Sequence, residues 1–107
     1  MALQKIQFKL KGSSFENRQE SLAWLKNHKT QVWLEREPEN QFDHNAIRVM
    51  MDQNGTPRRI GYFPKEIAAT LAPLVDTNQP INIMKYIVIG GYRNKSYGLL
   101  LDVAFVD

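Results

Sequence analysis

The sequence predicts a mainly β domain of the α+β class, in which six short strands form a small, strongly bent sheet or partly open barrel and two short helices cover its ends. Three observations carry that expectation. Apolar and polar residues alternate strictly in "KIQFKLK", the pattern of a half-buried strand. Asn54-Gly55 separates two apolar runs and signals a tight hairpin, because both residues tolerate positive φ. The order strand, helix, three strands, helix, two strands, all within 107 residues, is unlike that of a doubly wound sheet.

Strand one runs from Lys5 to Lys11, with Ile6, Phe8 and Leu10 on one face and Lys5, Gln7, Lys9 and Lys11 on the other. A row of lysines of this kind keeps an exposed strand soluble. Beyond "GSSFE", Asn17 precedes Glu20 by the three residues of a capping box, and Leu22 and Leu25, with Ala23 or Trp24, supply the apolar side of a short helix. His28 and Lys29 suit its C-terminal end, where positive charge complements the helix dipole. "QVWLER" is the second strand, "AIRVMM" the third and "RRIGYF" the fourth. Pro64 opens the second helix at its favoured first position; Ile67, Leu71, Leu74 and Val75 form the apolar side, and Pro73 ends or bends it. "INIMKYIVI" and "YGLLLDVAFV" are the last two strands, joined by the glycine-rich "GGYRNKS". Trp24 and Trp33 belong to the core or to the helix contact.

A chain of 107 residues, 43% of them hydrophobic, suffices for one core and is short for two, so residues 1–107 read as a single domain. The absence of cysteine excludes disulfides and thiolate zinc sites, which suits a reducing cytoplasm. "MALQKIQFKLKG" interrupts its apolar residues with polar ones, unlike a secretory leader, and no later segment has the length to span a bilayer. A soluble, cytoplasmic protein without membrane contacts is the expectation. The net charge of +3 and pI of about 9.3 favour polyanions, although the placement of cations matters more than their number. No serine, histidine and acid set points to hydrolysis, and His28 and His44 lack the spacing of a metal pair. Neither catalytic residues nor a metal nor a cofactor is expected, and the chain does not read as an enzyme.

The most informative segment is "LEREPENQFDHNAIRV", Leu34 to Val49. A tight hairpin needs only about two residues, yet this link is long, polar and carries Phe42. "EREPENQFDHNAIRV", followed by "NG" and "IGYFPKEIAATLAPLVD", resembles the HIRAN domain. That family's pattern is an arginine-glutamate-proline run, an asparagine-proline-tyrosine-aspartate turn, asparagine-alanine-isoleucine, and an isoleucine-glycine-tyrosine strand entering a helix. "GSSFENRQ" and "NKSYG" match stand-alone bacterial members, so the likeness covers nearly the whole chain. It implies a six-stranded OB-like barrel, found alone or attached to DNA-remodelling ATPases, that recognises the 3′ end of single-stranded DNA. This sequence contains no ATP-binding loop, so only the recognition role carries over.

The resemblance also implies roles for particular residues. Phe42 stands where the family's turn aromatic stacks on a terminal base, and Asp43 where its aspartate accepts a hydrogen bond from the 3′ hydroxyl, with Asn40 two residues before the ring. Stacking is worth roughly 1–3 kcal/mol per base whatever the sequence. A carboxylate only accepts hydrogen bonds, so it welcomes a free hydroxyl and repels a terminal phosphate. Lys65 matches a lysine that contacts the DNA backbone, and Tyr62 stands where the DNA-binding relative has histidine. No Ser, Thr, Asp or Asn precedes Pro64, which leaves the first amides of that helix available to an anion. Phe15 and Tyr97 match positions that shape the base-binding groove. The chain departs from the pattern at Phe42 (usually tyrosine), Gln41 (usually proline) and Ser14 (arginine in the DNA-binding relative). Arg18, four residues on, or Arg93 and Lys95 in the last turn, are the candidates to compensate for the last.

Each of these residues has a purely structural alternative. Asp43 and Asn45 serve equally to tie down a turn through bonds to the backbone, Lys65 is an ordinary solvated lysine, and Tyr62, Phe15 and Tyr97 suit core packing. For the whole domain the alternative is a protein-docking module within a DNA-processing assembly, receiving a partner chain at a sheet edge or at the polar turn.

Overall fold

The computed structural model describes residues 2–106, with the main chain alone at 16. Its elements follow the expected order: β1 (Leu3–Lys9), α1 (Glu16–Lys26), β2 (Val32–Arg36), β3 (Ile47–Gln53), β4 (Thr56–Tyr62), α2 (Lys65–Asp76), β5 (Ile81–Ile89) and β6 (Gly98–Val106). The strands sort into two three-stranded antiparallel sheets, β1-β6-β5 and β2-β3-β4. The domain is therefore mainly β with two helices. Ladder irregularities between Val49 and Met50 and between Ile83 and Lys85 bend the sheets where an extra residue must be absorbed.

One core joins the sheets. Phe8 and Leu10, Val49 and Met51, Ile60, and Leu99, Leu101 and Val103 come from the strands and their ends, and the helices add Leu22, Leu25, Ala68 and Leu71. The alternation in β1 places Phe8 inward and Lys5, Gln7 and Lys9 in solvent. Asn54 and Gly55 both have positive φ, 53° and 86°, and close the β3–β4 hairpin as their types dictate. Trp33 departs from expectation. β2 turns Val32 and Leu34 toward the core, so the intervening Trp33 lies on the opposite face, its indole N–H donating to Glu35 at 2.8 Å.

The helix starts also differ. α1 begins at Glu16 with Phe15 as its N-cap and no side-chain cap, so Asn17 lies inside the helix and forms no capping box. Tertiary anchors set that start: Arg18 donates to Gly12 O at 2.5 Å, and Gln19 Nε2 donates to Ser13 O and to Tyr97 O. Pro64 is the N-cap of α2 instead of its first helical residue, and Pro73 sits within the helix, which continues to Asp76. Among the described residues no helix is long and apolar enough to cross a membrane.

The feature that positions the site is a two-residue bridge between the sheets. Lys11, just past β1, exchanges backbone hydrogen bonds with Tyr62 at 2.8 and 2.9 Å. The approach is close enough that a Cβ on Gly61 would lie 2.9 Å from Lys11 O, which explains glycine there. Phe63 N–H then bonds Ile47 O at 2.9 Å, so the end of β4 and the entry to α2 are held against the start of β3.

Candidate nucleic-acid interface

The polar link between β2 and β3 spends most of its side chains on its own shape. Arg36 clamps its two ends: Nη1 donates to Ala46 O at 2.8 Å, Nη2 to His44 O at 3.1 Å, and Nε to Asp76 of α2 at 2.8 Å. Asn40 Oδ1 accepts the backbone N–H groups of both Phe42 and Asp43, at 2.9 and 3.0 Å, an arrangement that asparagine suits because its short amide mimics a backbone carbonyl. Asp43 Oδ1 in turn accepts Asn45 N–H at 2.9 Å. The structural role foreseen for Asp43 is thus real, but it occupies one oxygen; Oδ2 makes no hydrogen bond among the described residues. Within this braced loop Phe42 is 91% exposed, an apolar ring held out into solvent.

Asn40, Phe42, Asp43, Tyr62 and Lys65 border one open recess of about 340 Å³, joined by Lys11 and floored by the buried Ala46 and Phe63. Five of the seven candidate residues therefore meet, though they come from three elements of the chain. Lys65 is the first residue of α2, whose N-terminal amides carry no side-chain cap. Among the described residues, two cations and one acid line the recess.

Behind it stands Glu37, 8% exposed. Its carboxylate receives Asn40 Nδ2 at 2.8 Å and Tyr62 Oη at 3.0 and 3.1 Å, with Arg48 Nη1 at 3.4 Å and Arg59 Nη1 at 3.8 Å. Burial opposes ionisation, but the hydrogen bonds from Asn40 and Tyr62 and the charges of Arg59 and Arg48 outweigh it and hold the carboxyl below the usual range. Burial and the bond to Glu37 push the Tyr62 phenol upward, keeping it a donor. One buried acid thus braces the turn through Asn40 and orients the recess wall through Tyr62.

The other two candidates lie elsewhere. Phe15 is exposed beside the recess, with the Arg18 guanidinium 4.7 Å from its ring centroid and 5.6 Å from that of Tyr62, so a buried cation links Phe15 to the wall of the recess. Tyr97 does not border it. Its backbone N–H donates to Gln19 Oε1 at 2.8 Å, its ring packs beside the core, and Lys26 Nζ lies 5.9 Å from its centroid.

Residues 3–101 match the family model described as the HIRAN domain, which is nearly the entire described chain. The chain belongs to the HIRAN domain family. It is 35% identical over 79 residues to the helicase-like transcription factor of Oryctolagus cuniculus, covering 74% of this chain and 7% of that protein. It is 44% identical over 45 residues to the Fanconi-associated nuclease 1 homolog of Arabidopsis thaliana, covering 42% of this chain and 5% of that one. This HIRAN domain thus spans a small fraction of the length of these relatives. A crystal structure of a protein from Lactobacillus plantarum has the same fold, with a TM-score of 0.65, 23% identity and 98% of both chains covered.

Every residue bordering the recess falls inside the HIRAN match. Sequence reasoning missed Lys11 because it continues a row of solvent-facing lysines; only its pairing with Tyr62, 51 positions away, brings it to the recess. Glu37 was part of the quoted motif, yet nothing in its spacing marked it as the buried acid.

Proposed function

We propose that this HIRAN domain binds single-stranded DNA and prefers a free 3′ hydroxyl end, acting as a binding module and not as an enzyme. The family is in general one of DNA-binding modules. The observation that carries the reading is the convergence of an exposed ring, an acid with an uncommitted oxygen and two lysines on one recess. In this reading Phe42 stacks on the terminal base, Asp43 Oδ2 accepts a hydrogen bond from the 3′ hydroxyl, and Lys65 with the uncapped α2 amides and Lys11 hold the adjoining phosphate. Asn40 sets the angle between ring and acid, Tyr62 presents the wall, and Phe15, coupled through Arg18, offers a second apolar surface. Tyr97 supports the fold through its backbone bonds to Gln19 of α1. The cysteine-free composition suits action in the cytoplasm.

Fluorescence anisotropy with labelled ten-nucleotide thymidine strands, ending in 3′ hydroxyl or 3′ phosphate, tests the proposal. A hydrogen bond to a charged group is worth about 1.5–3 kcal/mol, so the hydroxyl end should bind about 10- to 150-fold more tightly. Asp43→Asn keeps an oxygen to cap Asn45 and removes the charge, and it should erase most of that preference. Equal affinity of the unsubstituted domain for both ends would overturn the end-reading claim. A protein-docking role is the second reading, favoured by Leu3 and Met84, which are 63% and 62% exposed on β1 and β5. Loss of all DNA binding at low salt, together with specific recovery of a DNA-processing protein in a pull-down that Met84→Ser abolishes, would select it.

A further inference from the structure

A second concavity, of about 270 Å³, is lined by Arg48, Arg58 and Arg59 with Asn17, Met50 and Pro57. Among the described residues its charges are incompletely met. Arg48 is committed to Glu35 at 2.5 Å and to Glu37 at 3.4 Å, whereas Arg59 reaches Glu37 only at 3.8 Å. Arg58 is exposed and forms no ion pair among the described residues. Arg18 adds a fourth cation nearby, and its guanidinium is pushed below its ordinary value by burial and then by the charge of Arg59. Among the described residues, only Arg48 and Arg59 of these four arginines pair with a carboxylate, Glu35 or Glu37. Guanidinium groups present planar, forked donors that match phosphate oxygens, and a local excess of them over an open concavity attracts a polyanion.

The linings of the two depressions are joined through Tyr62. Arg59 lines the second and donates to Tyr62 Oη at 2.9 Å, while Tyr62 borders the first; Arg48 faces Tyr62 across the β3–β4 ladder. A strand whose end occupies the recess therefore meets the arginines next if it runs past Tyr62. We propose that the arginine cleft is a phosphodiester-binding site that grips the strand inward of its terminus, and so sets the length of DNA the domain holds. This rests on the end-binding reading above. The backbone would sit against Arg58 and Arg59, with Met50 and Pro57 offering apolar contact to a sugar and Asn17 a further hydrogen-bonding group.

The test compares a thymidine dinucleotide with a ten-nucleotide thymidine strand, both ending in 3′ hydroxyl, against the unsubstituted domain and Arg58→Gln. Because Arg58 is exposed, the substitution should leave the melting temperature unchanged. The longer strand should bind at least about tenfold more tightly than the dinucleotide. Arg58→Gln should weaken the longer strand about fivefold, leave the dinucleotide unaffected, and reduce the slope of log affinity against log salt by about 0.7, the value for one phosphate contact on a single strand. Wild-type affinity and slope in Arg58→Gln, or equal affinity for the two lengths, would overturn the cleft. Failure of the end reading is seen separately: if 3′ hydroxyl and 3′ phosphate strands bind alike while the Arg58→Gln deficit persists, the cleft stands and the end pocket falls. No binding of the longer strand at low salt refutes both.

Discussion

Glu37→Gln should destabilise the domain by about 2 kcal/mol near neutral pH. The carboxylate is 8% exposed and takes hydrogen bonds from Asn40 and Tyr62, at 2.8 to 3.1 Å, besides two arginine contacts. Hydrogen bonds to a charged group contribute about 1.5–3 kcal/mol. Glutamine keeps one carbonyl oxygen for one of these donors but loses the charge and the second acceptor. The arginines retain other partners, Glu35 for Arg48 and Tyr62 for Arg59, so their share of the loss is small. Urea unfolding measures the effect: with a slope of about 2 kcal/mol/M, the midpoint should fall by about 1 M. The pH dependence supplies the discriminating control. The folded carboxyl titrates below its ordinary value of 4.5, so its stabilisation is complete above that value and is lost as pH falls through the folded one. Once protonated, Glu37 resembles glutamine, and the difference between the two proteins should close. Glu35 is also held low, by bonds from Trp33 and Arg48, but it titrates in both proteins and cancels in the comparison. A difference under about 0.5 kcal/mol near pH 7, or one that is unchanged near pH 3, would refute the role given to this acid.

Two further substitutions separate binding from folding. Phe42→Ala removes a ring that is 91% exposed, so thermal unfolding should stay within about 0.5 kcal/mol of the unsubstituted domain, while affinity for single-stranded DNA should fall roughly 5- to 150-fold in anisotropy. Gly61→Ala places a methyl 2.9 Å from Lys11 O and 3.1 Å from the Leu10 side chain; a loss of about 1–3 kcal/mol is expected, read by differential scanning fluorimetry as a fall of about 4–8 °C per kcal/mol.

Much of the fold was legible because its signals are local. The alternation of β1, the Asn54-Gly55 turn and the spacing of Leu71 and Leu74 in α2 all act within a few residues. What stayed hidden depends on partners far apart in the chain. Asn17 and Glu20 form a credible cap in isolation, but anchors at Gly12, Ser13 and Tyr97 set where α1 begins. The division of six strands into two sheets follows from β6 pairing with β1, nearly a hundred residues earlier. Within the candidate site, Asn40, Phe42, Asp43, Tyr62 and Lys65 were each named and do meet, since they occupy one loop and one strand-to-helix junction held together by Glu37, which bonds both Asn40 and Tyr62, and by the Phe63 to Ile47 hydrogen bond. Glu37 escaped because burial of a charge is decided by the neighbours that neutralise it, and those are tertiary. Tyr97 shows the converse, an aromatic residue whose position in a motif does not bring it to the recess.

Two open sheets leave four outer strands, and each is spoiled as a template for another chain. β1 alternates lysines, β2 is only five residues long, β4 carries Pro57, and β5 is kinked beside Lys85. Copies crowded side by side, whether in a concentrated solution or strung along one polymer, therefore meet edges that discourage one ribbon from extending another.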